Sequence, residues 1–419
     1  MKLLNEVIKN IKPTEEEEKE VKAKIDDFLK RVNKGLKDAK AELGGSGAKG
    51  TWLSQAHDAD IFVAFNYQKF KDRSEQLSDI LEKRLKKNFK KIIRLHGSRD
   101  YFQIKEEGFT FEVVPILKIS KAEDARNITD VSPLHAAWVR KHKEFADDIR
   151  LTKQFCKASK AYGAESYIRG FSGYICEILT IYYKGFLNLV KAASKWQEKT
   201  VIDVEKYYRN KNEVLSALNK SKLEGPLVII DPVQKDRNAA AALSEQNYRR
   251  FIVNCREFLE NPSGIHFKVI DFTLDEIKKP LRKNKKKIVL KIKPLKGKED
   301  IVGCKLLKVF EFIQRNLEKN EFKEVYYGNW QWNKEKDEAL MWFEVDKKPL
   351  PEYVIKEGPP IKLKEYVANF KKQYKGKTFV KKGKIYAKVK RDYRDASKLV
   401  KDLIKDKYVK EKVKSISFS

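Results

Sequence analysis

The sequence predicts a multidomain α+β protein, and two observations support this fold class. The chain has 419 residues, more than one ordinary hydrophobic core holds. The apolar pattern also changes twice along the chain, from mixed helix and strand to long helical stretches and back to a mixed pattern. We therefore predict an α/β head over residues 1–142, a helical central domain over residues 143–262, and a C-terminal α+β body and tail over residues 263–419.

The head is predicted to combine two helices with two strands. Apolar side chains recur every three or four positions over residues 15–42 and 74–94, a spacing that predicts amphipathic helices. Compact β-prone runs at residues 61–65 and 110–117 predict strands. The glycine-rich segment GGSGAKG breaks the helical pattern before the first strand. Together these elements predict one α/β unit.

The chain is predicted to be helical from residue 147 to about residue 260, with a boundary at Asn-Pro-Ser-Gly, residues 261–264. The elements predicted beyond it are a strand at 288–293, a helix at 304–320, strands at 324–332 and 338–346, a helix near 363–374, a hairpin with its turn at 381–384, and a final helix. The β-α-β-β order is that of a split βαβ sandwich, so this region is expected to be ferredoxin- or RRM-like.

The net charge of +31 indicates a polyanionic partner. A compact protein with this excess of cations repels itself, and nucleic acid is the commonest partner that relieves such repulsion. The alternative is an organism whose proteins are generally rich in lysine. That alternative explains abundant Lys and Glu together, but not 91 basic against 60 acidic residues.

Two basic runs, residues 278–298 and 370–394, are the predicted RNA-binding segments. Lysines in such runs neutralise phosphates, and the aromatic residues interleaved in the second run either stack on bases or pack in a small core. The predicted RNA-binding residues are Lys285, Lys286, Lys287, Lys381 and Lys382.

Several other classes of protein are disfavoured. The four cysteines, Cys156, Cys176, Cys255 and Cys304, have the spacing of neither a disulfide framework nor a zinc site, which favours a reducing cytoplasm. The N-terminus lacks a signal-peptide pattern and residues 174–190 are too charged to span a bilayer, so a soluble protein is expected. In the segment GGSGAKGT, Gly50 is followed by Thr51 and not by the lysine that a P-loop requires at that position. No Gly-x-Ser-x-Gly motif accompanies a catalytic triad.

Asp58 and Asp60 open the first predicted strand. Period-2 alternation places both carboxylates on one face, while Ile61 and Val63 point into the core. Two neighbouring carboxylates repel each other unless a cation lies between them, and oxygen ligands of this kind suit Mg²⁺. The alternative is an ordinary solvated strand edge, because Asp-x-Asp is a common sequence.

Neighbouring motifs favour the metal site. Gly45-Ser46 lies upstream, where a serine hydroxyl and backbone N–H groups at a helix start bind phosphate. The segment FTFEVVP supplies Glu112, a third carboxylate on a predicted strand. A Gly-Ser loop, a short helix, a strand opening with Asp-x-Asp and a third carboxylate on an adjacent strand resemble the polymerase-β-like nucleotidyltransferases.

Longer motifs resemble one family of that superfamily, the archaeal class I CCA-adding enzymes. They include GS-x-x-x-x-TWL, DADIFV, EVVP, ITDVSPLHAAW, IRLTKQFCKASKAYGAESYIRGFSGYICE, KTVIDV and IIDPVQKDRNAAAALS. The resemblance covers about residues 1–265 well and the remainder loosely. It implies a catalytic head in which Asp58, Asp60 and Glu112 bind two Mg²⁺ ions. The family typically has Asp at the position of Glu112.

The resemblance also implies the nucleotide-binding residues. Those expected to contact the triphosphate are Ser46, Lys49, Ser132, His135, Lys153 and Tyr162. Lys49 stands where the family usually has Arg, and Ser132 stands where it usually has Thr. Arg237 is expected to help position the base and the RNA end. Each of these residues also has an ordinary structural interpretation, such as a solvated helix face for Lys153 or a salt bridge at a helix start for Arg237.

The activity that the resemblance implies is template-independent addition of C, C and A to the 3′ end of tRNA. The substrates are CTP and ATP, pyrophosphate is released, and the body and tail hold the acceptor and TΨC arms of tRNA. A homodimer is compatible with this prediction. Two alternatives stay open: a related RNA nucleotidyltransferase of other specificity, such as a poly(A) or oligo(U) polymerase or a partial CCA adder, and a catalytically weak RNA-binding relative.

Overall fold

The computed structural model of the protein describes residues 2–270, 272–278, 284–322 and 329–419. They fold into two compact units, Met1–Ile270 and Asp271–Ser419. None of the helices in the described ranges combines the length and the apolar content that a membrane span requires. The division into three domains at residues 142 and 262 stays a prediction.

In the first unit, the chain up to residue 118 combines helices with the strands of one sheet. The helices are α1 (Lys2–Ile11), α2 (Glu15–Asn33), α3 (Gly45–Lys49), α4 (Tyr67–Phe70) and α5 (Leu77–Asn88), and the strands are β1 (Ala39–Leu43), β2 (Asp58–Asn66), β3 (Ile93–Leu95), β4 (Tyr101–Glu106) and β5 (Phe109–Lys118). The strands form one sheet in the order β1-β2-β5-β4-β3, in which β2 and β5 are parallel. Apolar side chains of α2 and α5 share a core with this sheet, where Phe28 stacks on Phe111 with ring centroids 3.8 Å apart.

The two predicted head helices were too long. Helix α2 ends at Asn33 because Gly35 adopts a left-handed conformation (φ +82°), and β1 then pairs with β2. The side chain of Asn33 holds this return, since its Oδ1 accepts from the N–H of Ala41 at 2.8 Å. Residues Lys71–Gln76 form a 3-10 helix before α5, and β3 follows α5 within the segment predicted as helix. Periodicity therefore located both helices but not their ends.

The rest of the first unit is largely helical but contains a small sheet. Its helices are α6 (Ser132–Arg140), α7 (Ala146–Ala158), α8 (Gly173–Tyr182), α9 (Phe186–Ala193), α10 (Lys211–Ala217) and α11 (Glu245–Glu260), and its strands are β6 (Thr200–Asp203), β7 (Leu227–Asp231) and β8 (Gln234–Asn238). The sheet was not predicted. Every residue of β7 is buried, with Leu227 and Ile229 in one apolar cluster and Val228 and Ile230 in another. A strand buried on both faces has no alternating pattern to mark it.

The second unit has a ferredoxin-like βαββαβ order with an inserted small sheet. Its elements are α12 (Leu274–Lys278), β9 (Lys285–Pro294), α13 (Glu299–Lys319), β10 (Asn329–Asn333), β11 (Glu338–Asp346), β12 (Tyr353–Pro360), α14 (Lys364–Gln373), β13 (Thr378–Lys381), β14 (Lys384–Lys390), α15 (Ala396–Leu403), α16 (Lys407–Lys410) and β15 (Val413–Phe418). The main sheet is antiparallel in the order β10-β11-β9-β15, and α13 packs on one face of it. This is the predicted split βαβ sandwich.

Most predicted elements of the second unit are confirmed. The hairpin turn has Lys382 and Gly383 at φ +45° and +73°, as a two-residue hairpin turn of this kind requires. Residues 324–328 of one predicted strand lie outside the described residues. The last strand, β15, was missed, and it completes the main sheet by pairing with β9.

Candidate active site

The three predicted metal ligands lie on the two parallel strands at the centre of the head sheet. Asp60 on β2 is the direct register partner of Glu112 on β5, and Asp58 lies two residues before Asp60. Ile61 and Val63 are fully buried in the core, so alternation directs the carboxylates to the opposite face. The pairing register therefore brings all three residues to one place in the fold.

A glycine loop covers Asp60. The N–H of Gly44 donates to the backbone oxygen of Asp60 at 2.8 Å. Gly45 has φ +52°, and a Cβ at this position would lie 1.6 Å from Oδ2 of Asp60. The loop can approach the carboxylate this closely only because residue 45 has no side chain.

A cavity of about 360 Å³ borders Asp58 and Asp60 on the side of α2. Its wall also includes Ser46 and Gly47 from the start of α3, and Trp52. Ser46 and the two aspartates therefore open into one shared space.

Negative charge accumulates at the three carboxylates. Burial raises the pKa of Asp60, and so does the charge of Asp58, while Lys49 opposes the shift. Burial likewise raises the pKa of Glu112, and the charges of Asp60 and Asp58 add to it. A bound divalent cation would relieve this repulsion, so the donor set fits Mg²⁺ in charge and in ligand type.

The carboxylates are not gathered into a closed cluster. Within the described residues, no group of three or more His, Cys, Asp or Glu side chains is arranged to hold a metal ion. Oε1 of Glu112 instead accepts a long hydrogen bond from Nε2 of Gln103 at 3.4 Å. The structure thus aligns the strands that carry the three residues without a preformed set of ligands.

Two of the predicted triphosphate contacts, Lys49 and Lys153, are held by one buried carboxylate. Glu177 on α8 is 1% exposed and binds Nζ of Lys49 at 2.7 Å and Nζ of Lys153 at 2.8 Å. The hydroxyl of Thr51 donates to the same carboxylate at 2.8 Å. Burial alone would raise the pKa of Glu177, but the two lysines outweigh it and lower the pKa to about 2. The trio therefore carries one net positive charge at neutral pH.

A second buried carboxylate, Asp231 at the end of β7, organises His135 and Arg237. Its Oδ2 binds Nε2 of His135 at 3.0 Å and also the guanidinium of Arg237, and its Oδ1 accepts from the hydroxyl of Tyr174 at 3.1 Å. Burial would raise the pKa of Asp231, but His135 and Arg237 lower it. Arg237 lies on β8, so its partner is across the small sheet and not at a helix start.

Ser132 and His135 lie on the first turn of α6, and the loop before this helix is tied to β5. Asp130 in the 3-10 helix Ile128–Val131 is fully buried, accepts from the N–H of Leu117 at 2.8 Å, and binds the guanidinium of Arg99. The start of α6 is thereby fixed to the strand that carries Glu112.

Tyr162 and Lys153 converge at Gly173, the first residue of α8. A Cβ at Gly173 would lie 3.1 Å from the Tyr162 hydroxyl and 3.6 Å from Cε of Lys153. Burial raises the pKa of Tyr162, so its hydroxyl stays protonated.

Lys157 is a candidate that the sequence interpretation missed. It lies one turn after Lys153 on α7, and its Nζ is 5.4 Å from the ring centroid of Tyr162. Its side chain is exposed at the surface, but nearby protein atoms partly desolvate its ammonium group and lower its pKa, while the charge of Asp58 opposes the shift. Lys157 forms no ion pair with any residue in the described ranges. The spacing of four from Lys153 was the one available signal.

The predicted RNA-binding lysines belong to the second unit and differ in how they are presented. Lys285 is 4% exposed and is bound by Asp346 at 2.7 Å, so it is not a free cation. Lys286 pairs with Asp395 at 2.9 Å, and burial lowers the pKa of Lys287. Lys381 and Lys382 are exposed at the hairpin turn.

Comparison with known families identifies three consecutive regions of the chain. Residues 23–130 match a nucleotidyltransferase domain, residues 147–268 match the second domain of tRNA nucleotidyltransferases, and residues 266–416 match the C-terminal domain of CCA-adding enzymes. Among solved structures, one of a cytoplasmic RNA terminal U-transferase superposes with a TM-score of 0.51 at 15% identity, covering 65% of this chain and 98% of that chain. A structure of the Cid1 poly(U) polymerase also gives a TM-score of 0.51, at 14% identity. These two similarities concern the fold alone.

Relatives that match over most of the chain are more informative. The CCA-adding enzyme of Nanoarchaeum equitans is 39% identical over 331 residues, covering 79% of each chain. The CCA-adding enzyme of Methanocaldococcus jannaschii is 31% identical over 420 residues, covering 96% of this chain and 90% of the relative. With the nucleotidyltransferase head and its carboxylates in place, this chain belongs to the family of CCA-adding enzymes.

Proposed function

We propose that Asp58, Asp60 and Glu112 form the catalytic centre of a CCA-adding reaction that uses two Mg²⁺ ions. As a member of its family, the chain is an enzyme that adds C, C and A to the 3′ end of tRNA without a nucleic-acid template. The substrates are CTP and ATP, and the RNA 3′-hydroxyl displaces pyrophosphate from the α-phosphate.

The observation that carries this proposal is the register of β2 and β5. It makes Asp60 and Glu112 direct neighbours, with Asp58 beside them and the Gly44–Gly45 loop on top. When bound, the metal ions supply the positive charge that lowers the pKa of the attacking hydroxyl and neutralises the triphosphate. We assign Glu112, together with the first metal, to ease the loss of the proton from the 3′-hydroxyl, because it is the register partner of Asp60 at this site.

The chain's own cations hold the triphosphate in this proposal. The contacts are Ser46, Lys49, Ser132, His135, Lys153 and Tyr162, to which we add Lys157. The trio of Lys49, Lys153 and Glu177 offers one net positive charge, and Lys157 offers a second that is in no ion pair with the residues that the structure describes. Arg237, held by Asp231, positions the base and the RNA end.

The second unit is assigned to tRNA binding, with Lys381 and Lys382 as its most accessible candidates. Contact with the acceptor and TΨC arms, a homodimer and a cytoplasmic location remain predictions. RNA phosphates would have to compete with Asp346 and Asp395 for Lys285 and Lys286.

The test is incubation with a tRNA that ends at its discriminator base, with each nucleotide alone and with CTP and ATP together. Addition of three nucleotides only when both are present supports the proposal. Tails of A or U made from a single nucleotide indicate another specificity. So do products that stop after one kind of nucleotide when CTP and ATP are both present. No Mg²⁺-dependent incorporation, with tRNA binding retained, indicates a silent relative. Asp60→Ala is the matched inactive control.

A further inference from the structure

Tyr174 lies between two groups of side chains that the proposed function assigns to the nucleotide. It occupies the first turn of α8. Nζ of Lys49 lies 5.2 Å from the centroid of its ring. The imidazole of His135 lies 4.2 Å from the same ring between centroids, with 30° between the two planes. One aromatic ring therefore contacts both a cation and an imidazole of the triphosphate site.

The hydroxyl of Tyr174 extends the connection to the base-positioning arginine. It donates to Oδ1 of Asp231 at 3.1 Å, and Oδ2 of the same carboxylate binds Arg237 and His135. Burial and the charge of Asp231 raise the pKa of Tyr174, so the hydroxyl remains a donor at neutral pH. A hydrogen bond to a buried charged group is stronger than one between neutral groups.

A second residue of α8, Glu177, also binds Lys49. Glu177 lies three residues after Tyr174 on α8, and residues at this spacing share a helix face. Tyr174 and Glu177 together contact Lys49, Lys153 and His135 directly, and they reach Arg237 only through Asp231.

We propose that Tyr174 is a positioning residue that couples the triphosphate contact Lys49 to the base-positioning Arg237. This inference rests on the proposed function, which assigns those two roles. The ring sets the distance between Lys49 and His135, and the hydroxyl holds Asp231, which in turn holds Arg237. A correctly seated triphosphate therefore favours the orientation of Arg237 that selects the base.

A double-mutant cycle tests the coupling. KM and kcat for ATP are measured on a tRNA ending in CC, for wild type, Lys49→Met, Arg237→Lys and the double variant. The same four measurements are then made with Tyr174→Phe, which keeps the ring and removes the hydroxyl. With Tyr174 present, the effect of the double variant on KM should differ from the product of the single effects by about threefold or more. With Phe at this position, the effects should multiply to within about twofold.

The possible outcomes distinguish a failure of the coupling from a failure of the proposed function. If both single variants raise KM but their effects already multiply with Tyr174 present, the coupling is wrong and the proposed contacts stand. If the effects of Lys49→Met and Arg237→Lys on KM also fail to multiply in Tyr174→Phe, the proposed coupling is wrong, because it does not depend on the hydroxyl. If neither Lys49→Met nor Arg237→Lys alters KM or kcat, the assigned contacts fail and the coupling fails with them.

Two further variants test whether the effect is specific to the contact between Tyr174 and Asp231. Asp231→Asn keeps the size of the side chain and should remove the coupling as Tyr174→Phe does. Tyr182→Phe, on the exposed end of the same helix, should leave KM and the cycle as in wild type. A melting temperature within a few degrees of wild type for each variant shows that the change is local.

Discussion

A side chain at Gly45 would collide with the carboxylate of Asp60. The residue has φ +52°, and its Cβ would lie 1.6 Å from Oδ2 of Asp60. The Gly-Ser loop and the central carboxylate are therefore packed against each other through a position that only glycine fits.

Gly45→Ala should reduce nucleotide addition by about 100-fold or more, because a shift of about one ångström at a catalytic group has that effect. Binding of tRNA should be unaffected, and both are measured on the purified variant. Gly50→Ala is the control: its φ is +67°, but nothing lies within 4 Å of the added Cβ. It adds only backbone strain of about 1 kcal/mol. If Gly45→Ala and Gly50→Ala lose the same amount of nucleotide addition, backbone strain and not the contact with Asp60 causes the loss.

Glu112 should be required as a charged group. Glu112→Gln keeps the size of the side chain but removes the charge that would hold a metal, so turnover should fall by orders of magnitude. Glu112→Asp, the residue typical of the family, should retain activity or raise it. Single-turnover incorporation measures both. Normal turnover in Glu112→Gln would leave the site with two carboxylate ligands.

Glu177 should make stability depend on pH. Its pKa is about 2 in the folded protein against an ordinary value of 4.5. A lowered carboxyl pKa stabilises the folded state above the unfolded pKa, and this contribution is lost as the pH falls toward the folded pKa. Glu177→Gln should therefore lower the free energy of unfolding by about 3 kcal/mol at pH 7. The difference from wild type should narrow between about pH 5 and pH 2 in urea titrations.

The control for this pH series is Glu42→Gln. Glu42 pairs with Lys40 on the exposed face of β1, and exposed pairs contribute less than about 1 kcal/mol. A pH-independent deficit in Glu177→Gln would mean that the carboxylate acts through packing and not through its charge.

Lys157→Met should raise KM for both nucleotides by about tenfold, which is the effect of losing one charge-assisted contact. The fold should be unaffected, because Lys157 has no ion-pair partner among the described residues. Initial rates at varied ATP and CTP measure the effect. Lys191→Met, at an exposed position of α9, serves as the matched control. If the two variants behave alike, Lys157 does not contact the triphosphate.

Lys381 and Lys382 should contribute to the salt dependence of tRNA binding. Replacing both with Ala should flatten the slope of log Kd against log salt concentration by about 1.4 to 1.8, since each phosphate contact contributes about 0.7 to 0.9. Lys285→Met should instead destabilise the second unit and leave the slope unchanged, because this lysine is buried against Asp346. An unchanged slope in the double variant would locate the RNA elsewhere.

Local patterns in the sequence were sufficient for the parts of the site that depend on strand alternation. Asp58, Asp60 and the buried Ile61 and Val63 follow from a period of two along one strand. The β-α-β-β order and the hairpin turn at residues 381–384 are also local features, and both were predicted. Side-chain periodicity and turn chemistry act over a few residues, so a single sequence displays them.

What only the tertiary structure decided involves partners far apart in the chain. Lys49 and Glu177 are 128 residues apart and His135 and Asp231 are 96 apart, so neither carboxylate could be assigned to its partners from spacing. Strand β7 could not be predicted from an alternating pattern because it is buried on both faces. Lys285 belongs to a basic run in the sequence but is buried in the structure. Burial and ion pairing depend on which segments pack together, and a charge pattern read along one chain does not contain that information.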